Sequence, residues 1–426
     1  MFEKEGEMYK RIFNFLIFLF YAILLISYSS LFSYTQQGSK IEKTNDVDVI
    51  SNPKNPIPKD GLKKRIVFEE DLSIGEVEGD ENYMFGNRVY FNVDEEGNFY
   101  VNDWDRKRIK KFDPQGKYLL SIGRAGQGPG EFGNVWIPRF DKDKNLYVSD
   151  IVSRRISFFD KEGKFLRQIR IPIHLSNVYV NSKGFFVGYQ TTNIDDPSGD
   201  KSIFILGLYD ERFNLIAEFH RQIWESKRSS GRDAESRAQF LANLLGDDAF
   251  KPSMSYVLAE NDFIYFGYPE KYEIRVYSPE GKLVKIIQRD YDPIRVSKKH
   301  KESFIQYQED EFFRFIETPE NIRKKVYQLI KYPKYIPAYQ RFTLMENGWL
   351  AVIVDSIEDE YTLMDIFDKD GKYIAQFKTT VPPGNLFFKD GKAYALATET
   401  ESGFRFVKRY NFEIQKYKDN KWIRDK

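Results

Sequence analysis

An all-β fold, a six-bladed β-propeller, is predicted by three observations. First, one pattern is written twice in the same register. Tyr100, Val101, Asn102, Asp103, Arg108, Ile109, Phe112, Asp113, Gly116, Lys117 and Leu119 return 47 residues later as Tyr147, Val148, Ser149, Asp150, Arg155, Ile156, Phe159, Asp160, Gly163, Lys164 and Leu166. A period in the forties, built from short strands and turn residues, marks one four-stranded blade per repeat. Second, the turn spacing recurs in weaker form four more times, so that six blades fit the length. Third, 41% hydrophobic and 16% aromatic residues, with 37 Phe and 28 Tyr, suit twisted antiparallel sheets packed face to face.

The chain opens with residues 12–32, 21 residues without a charge, close to the roughly 20 needed to cross a bilayer as a helix. Lys4, Lys10 and Arg11 precede the segment and favour an inside N-terminus, although Lys40 and Lys43 on the far side weaken that bias. No A-x-A cleavage pattern follows, so an uncleaved anchor over residues 1–34 is the leading reading. Cleavage near Ser29 or Ser30, giving a secreted protein, stays open, as does a buried helix. Either of the first two readings puts the remaining chain outside the cytoplasm. Residues 35–61 are polar with three prolines and read as a linker.

The propeller is expected over residues 62–418, with 419–426 as a tail. Turns at 94–97 and 141–144 separate the first two strands of blades 1 and 2, and turns at 113–116 and 160–163 separate the last two. Asp and Gly there tolerate the backbone of tight reversals. Between the turns, 108–112 and 155–159 alternate as strands with one face buried and the other more polar. Blades 1 and 2 cover about 87–122 and 136–170. The degraded copies cover 178–219, 255–288, 342–378 and 386 to about 416. Ring closure calls for a strand from the other terminus, and 65–68 is the candidate to pair beside the last blade.

The insertions fall in one class of connection. In a four-stranded meander the second-to-third turns and the blade-to-blade crossings lie on one face of the disc. The long insertions, at 191–201, 221–252, 291–338 and 355–360, all belong to that class, so that face carries a cap while the other is plain. Two insertions look helical. Residues 233–245 place Ala238, Leu241, Leu244 and Leu245 on one face, with Gly246 as the stop. Thr318 can cap a helix begun by Pro319, striped by Ile322, Val326, Leu329 and Ile330, and 303–316 reads as its partner helix.

Several function classes are excluded. Formal net charge is +1, from 65 Lys and Arg against 64 Asp and Glu, with no basic stripe, so no nucleic-acid partner is expected. Cysteine is absent, which removes disulfides, thiolate metal sites and a cysteine nucleophile. His174, His220 and His300 are scattered without metal-type spacing. Residues 123–130 are glycine-rich, but no Lys-Ser or Lys-Thr follows, so a phosphate cradle is not expected. No catalytic residue, metal ligand or cofactor is assigned.

The motif Tyr-Val-x-Asp-x4-Arg-Ile-x2-Phe-Asp-x2-Gly-Lys, with the glycine-rich segment 123–132 between the first two blades, resembles NHL-repeat proteins and the bacterial six-bladed propellers related to them. Two blades match closely and the others match in turns and spacing. The resemblance implies the six-bladed fold over about 62–418 and little about activity, since that fold hosts scaffolds, lactonases and lyases.

Asp103 with Arg108 and Asp150 with Arg155 read as structural pairs bracing the loop between a blade's second and third strands or bridging to the neighbouring blade, with ligand contact as the rival reading. In blade 4 both members are lost together, to Tyr268 and Glu273, as suits a pair acting as a unit. The leading functional reading is a membrane-anchored, extracytoplasmic binding or interaction module, its site on the capped face over the channel. Its membrane contact is the N-terminal helix, and its ligand is an unidentified protein or small molecule. Trp104, Arg106, Arg154, Tyr189 and Tyr268, from second-to-third-strand loops or strand ends, are the candidate contacts. The alternative is a lactonase-like hydrolase or a lyase with a divalent cation at the axis, and a purely structural element of a surface assembly is a third reading.

Overall fold

The computed structural model describes residues 38–57, 64–86, 88–193, 201–225, 233–313, 316–354, 361–382, 384–399, 403–418 and 421–424. The apolar segment 12–32 lies outside them. The chain divides into two compact units, 1–39 and 40–426, and every element below belongs to the second.

Six antiparallel sheets follow one another along the chain. Blade 1 comprises Phe91–Val93, Phe99–Asp103, Arg108–Phe112 and Tyr118–Ile122; blade 2, Arg139–Phe140, Leu146–Asp150, Arg155–Phe159 and Phe165–Arg170. Blade 3 comprises Leu175–Val180, Phe186–Asn193, Lys201–Tyr209 and Leu215–Glu225; blade 4, Ser255–Leu258, Ile264–Gly267, Glu273–Tyr277 and Leu283–Arg289. Blade 5 comprises Arg341–Leu344, Leu350–Val354, Thr362–Phe367 and Tyr373–Thr379. Blade 6 takes Phe387–Lys389, Lys392–Thr398 and Arg405–Lys418 from the C-terminal end, and Lys64–Ile74 completes it by pairing along Arg405–Lys418. The closing strand expected at 65–68 is thus present and longer.

One device builds the turns. The Oδ1 atoms of Asp113, Asp160, Asp210 and Asp368 each accept backbone N–H bonds from the residues two and four positions on, for Asp113 at 2.9 and 2.8 Å. Such a turn satisfies two donors locally and lets the next strand start in register. Gly116 closes the first of these at φ 81°, a conformation a side chain disfavours.

Six apolar clusters fill the six spaces between neighbouring blades. Ile109, Phe132, Val148 and Phe159 lie between blades 1 and 2, and Tyr394, Val407, Phe91 and Val101 close the ring between blades 6 and 1. Central strands are therefore covered on both faces. The expectation that 108–112 and 155–159 bury only one face is corrected: Lys110 and Ser157 are as fully buried as Ile109 and Ile156. Lys110 tolerates this because its ammonium lies 3.2 Å from Asp103 and donates to the carbonyls of Glu81 and Met84.

Among the described residues, three helices occupy the insertions: α1 (Ala234–Asp248), α2 (Lys298–Gln308, continued by a π turn, Glu309–Phe313) and α3 (Glu320–Leu329). Helix α1 runs through Gly246, the expected stop. Leu245 and Ala249 pack with Val326 and Ile330, so tertiary burial outweighs the local signal. Thr318 does not cap α3: its hydroxyl faces Arg237 of α1, and the carbonyl of Pro319 accepts from Ile322 and Arg323. Helix α2 starts earlier than expected because Ser297 and His300 form a reciprocal cap.

The stretch read as a polar linker contains a β-hairpin, Lys40–Thr44 with Val47–Asn52, whose second strand lies parallel on the outer strand of blade 4. Ile50 is buried there, and Asn52 donates to the carbonyls of Gln288 and Gly371 and accepts from the N–H of Tyr373. The expected tail likewise includes a short strand, Lys421–Arg424, paired with Gln415–Lys418.

Candidate functional site

The first strand of each blade is the inner one, since the closing strand and the N-terminal hairpin both add at the fourth-strand edge. Hydrogen bonds lace the inner strands to one another. Asn385 donates to the Phe91 carbonyl, Asn92 to that of Pro138, Arg139 to Asn177 Oδ1 and Tyr256 to the Asn177 carbonyl. These bonds tie blade 6 to 1, 1 to 2, 2 to 3 and 3 to 4 along the channel wall.

On the insertion-bearing face, the two aspartate–arginine pairs differ: the first binds side chains and the second the backbone. Asp103 Oδ2 lies 3.1 Å from Arg108 Nε and also meets Lys110. Asp150 accepts the amides of Gly133, Asn134 and Ser153, while Arg155 donates to the carbonyls of Gln127 and Glu131. That second set holds the glycine-rich crossing 123–132 against blade 2.

Between blades 2 and 3 on the same face lies a cavity of about 540 Å³, lined by Ile151, Ile173, His174, Ser176, Gln190, Thr191, Thr192 and Asn193. Arg154, at φ 49°, brings Nη2 to 2.5 Å from His174 Nε2. A guanidinium can only donate, so Nε2 is the acceptor in this contact. An aromatic group gathers around blade 1 and its crossing to blade 2: Tyr90 stacks on Trp136 at 5.6 Å, Trp104 meets Trp136 edge-on at 5.6 Å, and Arg88 covers Trp104 at 4.9 Å. Burial raises the Tyr90 phenol, opposed by the charges of Arg88 and Arg405. Burial also raises that of Tyr189, with Tyr90 adding to it.

The five candidate contacts fall into separate clusters. Trp104 joins the aromatic group, Arg154 the rim of the cavity, and Tyr189 the strand that lines it. Arg106 lies on the rim of blade 1, bonded to Glu81 at 3.2 Å. Tyr268 is half-buried, its ring 4.7 Å from that of His220, and burial raises its phenol. Sequence reasoning passed over Tyr90, Trp136, His174, the polar run 190–193 and Arg341. One legible signal was available: once the blades are counted, the six inner strands contain Arg139, Arg341 and Lys389 but no carboxylate.

Among the described residues, no group of three or more His, Asp or Glu is placed to hold a metal ion, and no helix is long and apolar enough to cross a membrane.

This architecture defines an all-β six-bladed propeller with a few helices. A family model, DUF5128, described as a 6-bladed beta-propeller, matches residues 89–236. No curated protein matches the chain. Similar solved structures include a protein of Bacteroides fragilis proposed to be exported, 12% identical, with a TM-score of 0.48 over 85% of this chain and 99% of that one. Another is a member of the duf4221 family from Bacteroides vulgatus, 11% identical, with a TM-score of 0.49 over 83% and 99%. A third is the virginiamycin B lyase of Staphylococcus aureus, 10% identical, with a TM-score of 0.39 over 82% and 99%.

Proposed function

We propose that the chain is an extracytoplasmic, membrane-anchored propeller acting as a ligand-binding module, with its site on the insertion-bearing face beside the channel. The single observation that carries this reading is the cavity between blades 2 and 3. Its volume of about 540 Å³ is that of a small-molecule pocket. Hydroxyls and amides from Ser176, Gln190, Thr191, Thr192 and Asn193 supply both donors and acceptors, and Ile151 and Ile173 supply apolar surface. Such a mixture suits a neutral, polyhydroxylated molecule of mono- or disaccharide size. Loops on a rigid scaffold are where recognition is usually placed, and the insertions are gathered on this face. The uncharged segment 12–32 supports the anchor and the location outside the cytoplasm.

The test is a melting series of the full chain in detergent with maltose and with glucose. A saturable rise with either sugar is expected, and Thr191→Trp, which fills the cavity, should abolish it. No response to either sugar, or an equal response in the filled variant, would count against the cavity.

A further inference from the structure

We infer that the mouth of the central channel on the insertion-bearing face binds an anionic group, a carboxylate or a phosphate, with Arg341 as its principal donor. This site is separate from the cavity between blades 2 and 3. The six inner strands carry three cations and no Asp or Glu, in a chain whose acidic and basic residues otherwise nearly balance. Arg139 and Arg341 each open an inner strand, at the end nearest the insertions, whereas Lys389 closes one at the opposite end and donates to the Val93 carbonyl.

The two arginines at the mouth differ in what they already hold. Arg139 is committed, donating to Asn177 at 2.6 Å with its guanidinium 3.9 Å from the Tyr179 ring centre. Arg341 is not. It lies opposite Ile353, on the face of blade 5 turned toward blade 6, while Phe342 turns the other way into the cluster shared with blade 4. Its Nη2 is shut off from solvent without an acceptor, although the side chain as a whole is only half-buried. Burial alone pulls the Arg341 guanidinium down to about 10. A cation kept in such a place without a counter-charge is costly unless a ligand supplies one. Arg405 and Arg88, whose charges reach Tyr90 at the same mouth, add to a field that draws anions in. The planar guanidinium fork matches a carboxylate or phosphate edge in a way an ammonium does not.

The full chain in detergent should be titrated calorimetrically with inorganic phosphate and, separately, with acetate, at constant ionic strength set with sodium chloride. A saturable response to phosphate alone assigns the site to phosphate groups, and a response to acetate as well assigns it to carboxylates too. Arg341→Gln should weaken the response about tenfold or more, the worth of one charged bidentate contact. Arg341→Lys should retain part of it. Without phosphate or acetate the Gln variant should melt no lower than the wild type, because it removes an uncompensated charge. Thr191→Trp should leave phosphate binding unchanged, which separates this site from the sugar cavity. Equal titrations of wild type and Arg341→Gln, silence toward both anions, or a clear loss of stability in Arg341→Gln without phosphate or acetate would each overturn the assignment.

Discussion

Arg289 of blade 4 and Asp365 of blade 5 meet at 2.6 Å in the interior, the guanidinium 9% and the carboxylate 0% exposed. Asp365 also accepts from Tyr272 at 2.5 Å and from Tyr373 and Gln376 at 2.8 Å each. Four donors on one carboxylate, from two blades, fix the angle between those blades in a way that apolar contact alone would not. Arg289 Nη2 then reaches the Lys54 carbonyl, tying the N-terminal hairpin to the same junction.

Breaking this pair from one side should be costly. Asp365→Asn keeps the shape but leaves a buried guanidinium uncompensated, for which about 3 to 5 kcal/mol is expected. Urea unfolding should show a lower midpoint with an unchanged slope. The double variant Asp365→Asn with Arg289→Met should recover much of the loss, because no stranded charge remains. A near-neutral Asp365→Asn would mean that the junction is held by packing alone.

The N-terminal segment gives a second prediction. In cells making the full chain, carbonate washing should leave it in the membrane pellet, and an external protease should reach the propeller once the envelope is opened. Deleting residues 12–32 should release it. A product washed off by carbonate, with a new N-terminus near Ser29 or Ser30, would replace the anchor by a cleaved signal.

How far the fold was legible follows from which residues act locally. The turn aspartates at 113 and 160 and their glycines at 116 and 163 bond within five residues, so the blade count could be read directly. The closing strand was legible because the ring leaves an edge that some strand must cover. The hairpin at 40–52 was not, because Lys40, Glu42, Lys43 and Asp48 hide the few residues, Ile50 and Asn52, that decide its docking through partners more than 200 positions away. Gly246 misled for the same reason, since the contact overriding it is with Val326 and Ile330 on another helix. At the site, Trp104 and Arg154 could be found from strand ends. Tyr90 and His174 could not, and although blade counting puts Arg341 in an inner strand, blade order alone does not say which residue at an inner-strand entrance keeps its partner and which is left without one.

Ring closure should depend on pH through Asp71. The closing strand Lys64–Ile74 carries this carboxylate to Arg409 Nε at 2.9 Å and Lys392 Nζ at 3.0 Å. Burial by itself pushes the group up, but the hydrogen bonds and charges of Arg409 and Lys392 outweigh it and hold the carboxyl below its ordinary value of 3.8. A carboxyl lowered on folding contributes stability that is present above its unfolded value and lost as pH falls through its folded value. Asp71→Asn should therefore cost about 1 to 2 kcal/mol near neutrality, the range for a partly exposed hydrogen bond to charged groups. Wild-type and variant unfolding curves should converge as pH falls from the ordinary carboxyl value of 3.8 through the lowered folded value, where the wild-type carboxyl becomes neutral like the amide. Other carboxylates titrate in the same range, but they do so in both proteins and cancel in the difference. A gap between the two that persists undiminished into acid would assign the effect to the shape of the side chain, and would remove the charge of Asp71 from the forces that close the ring.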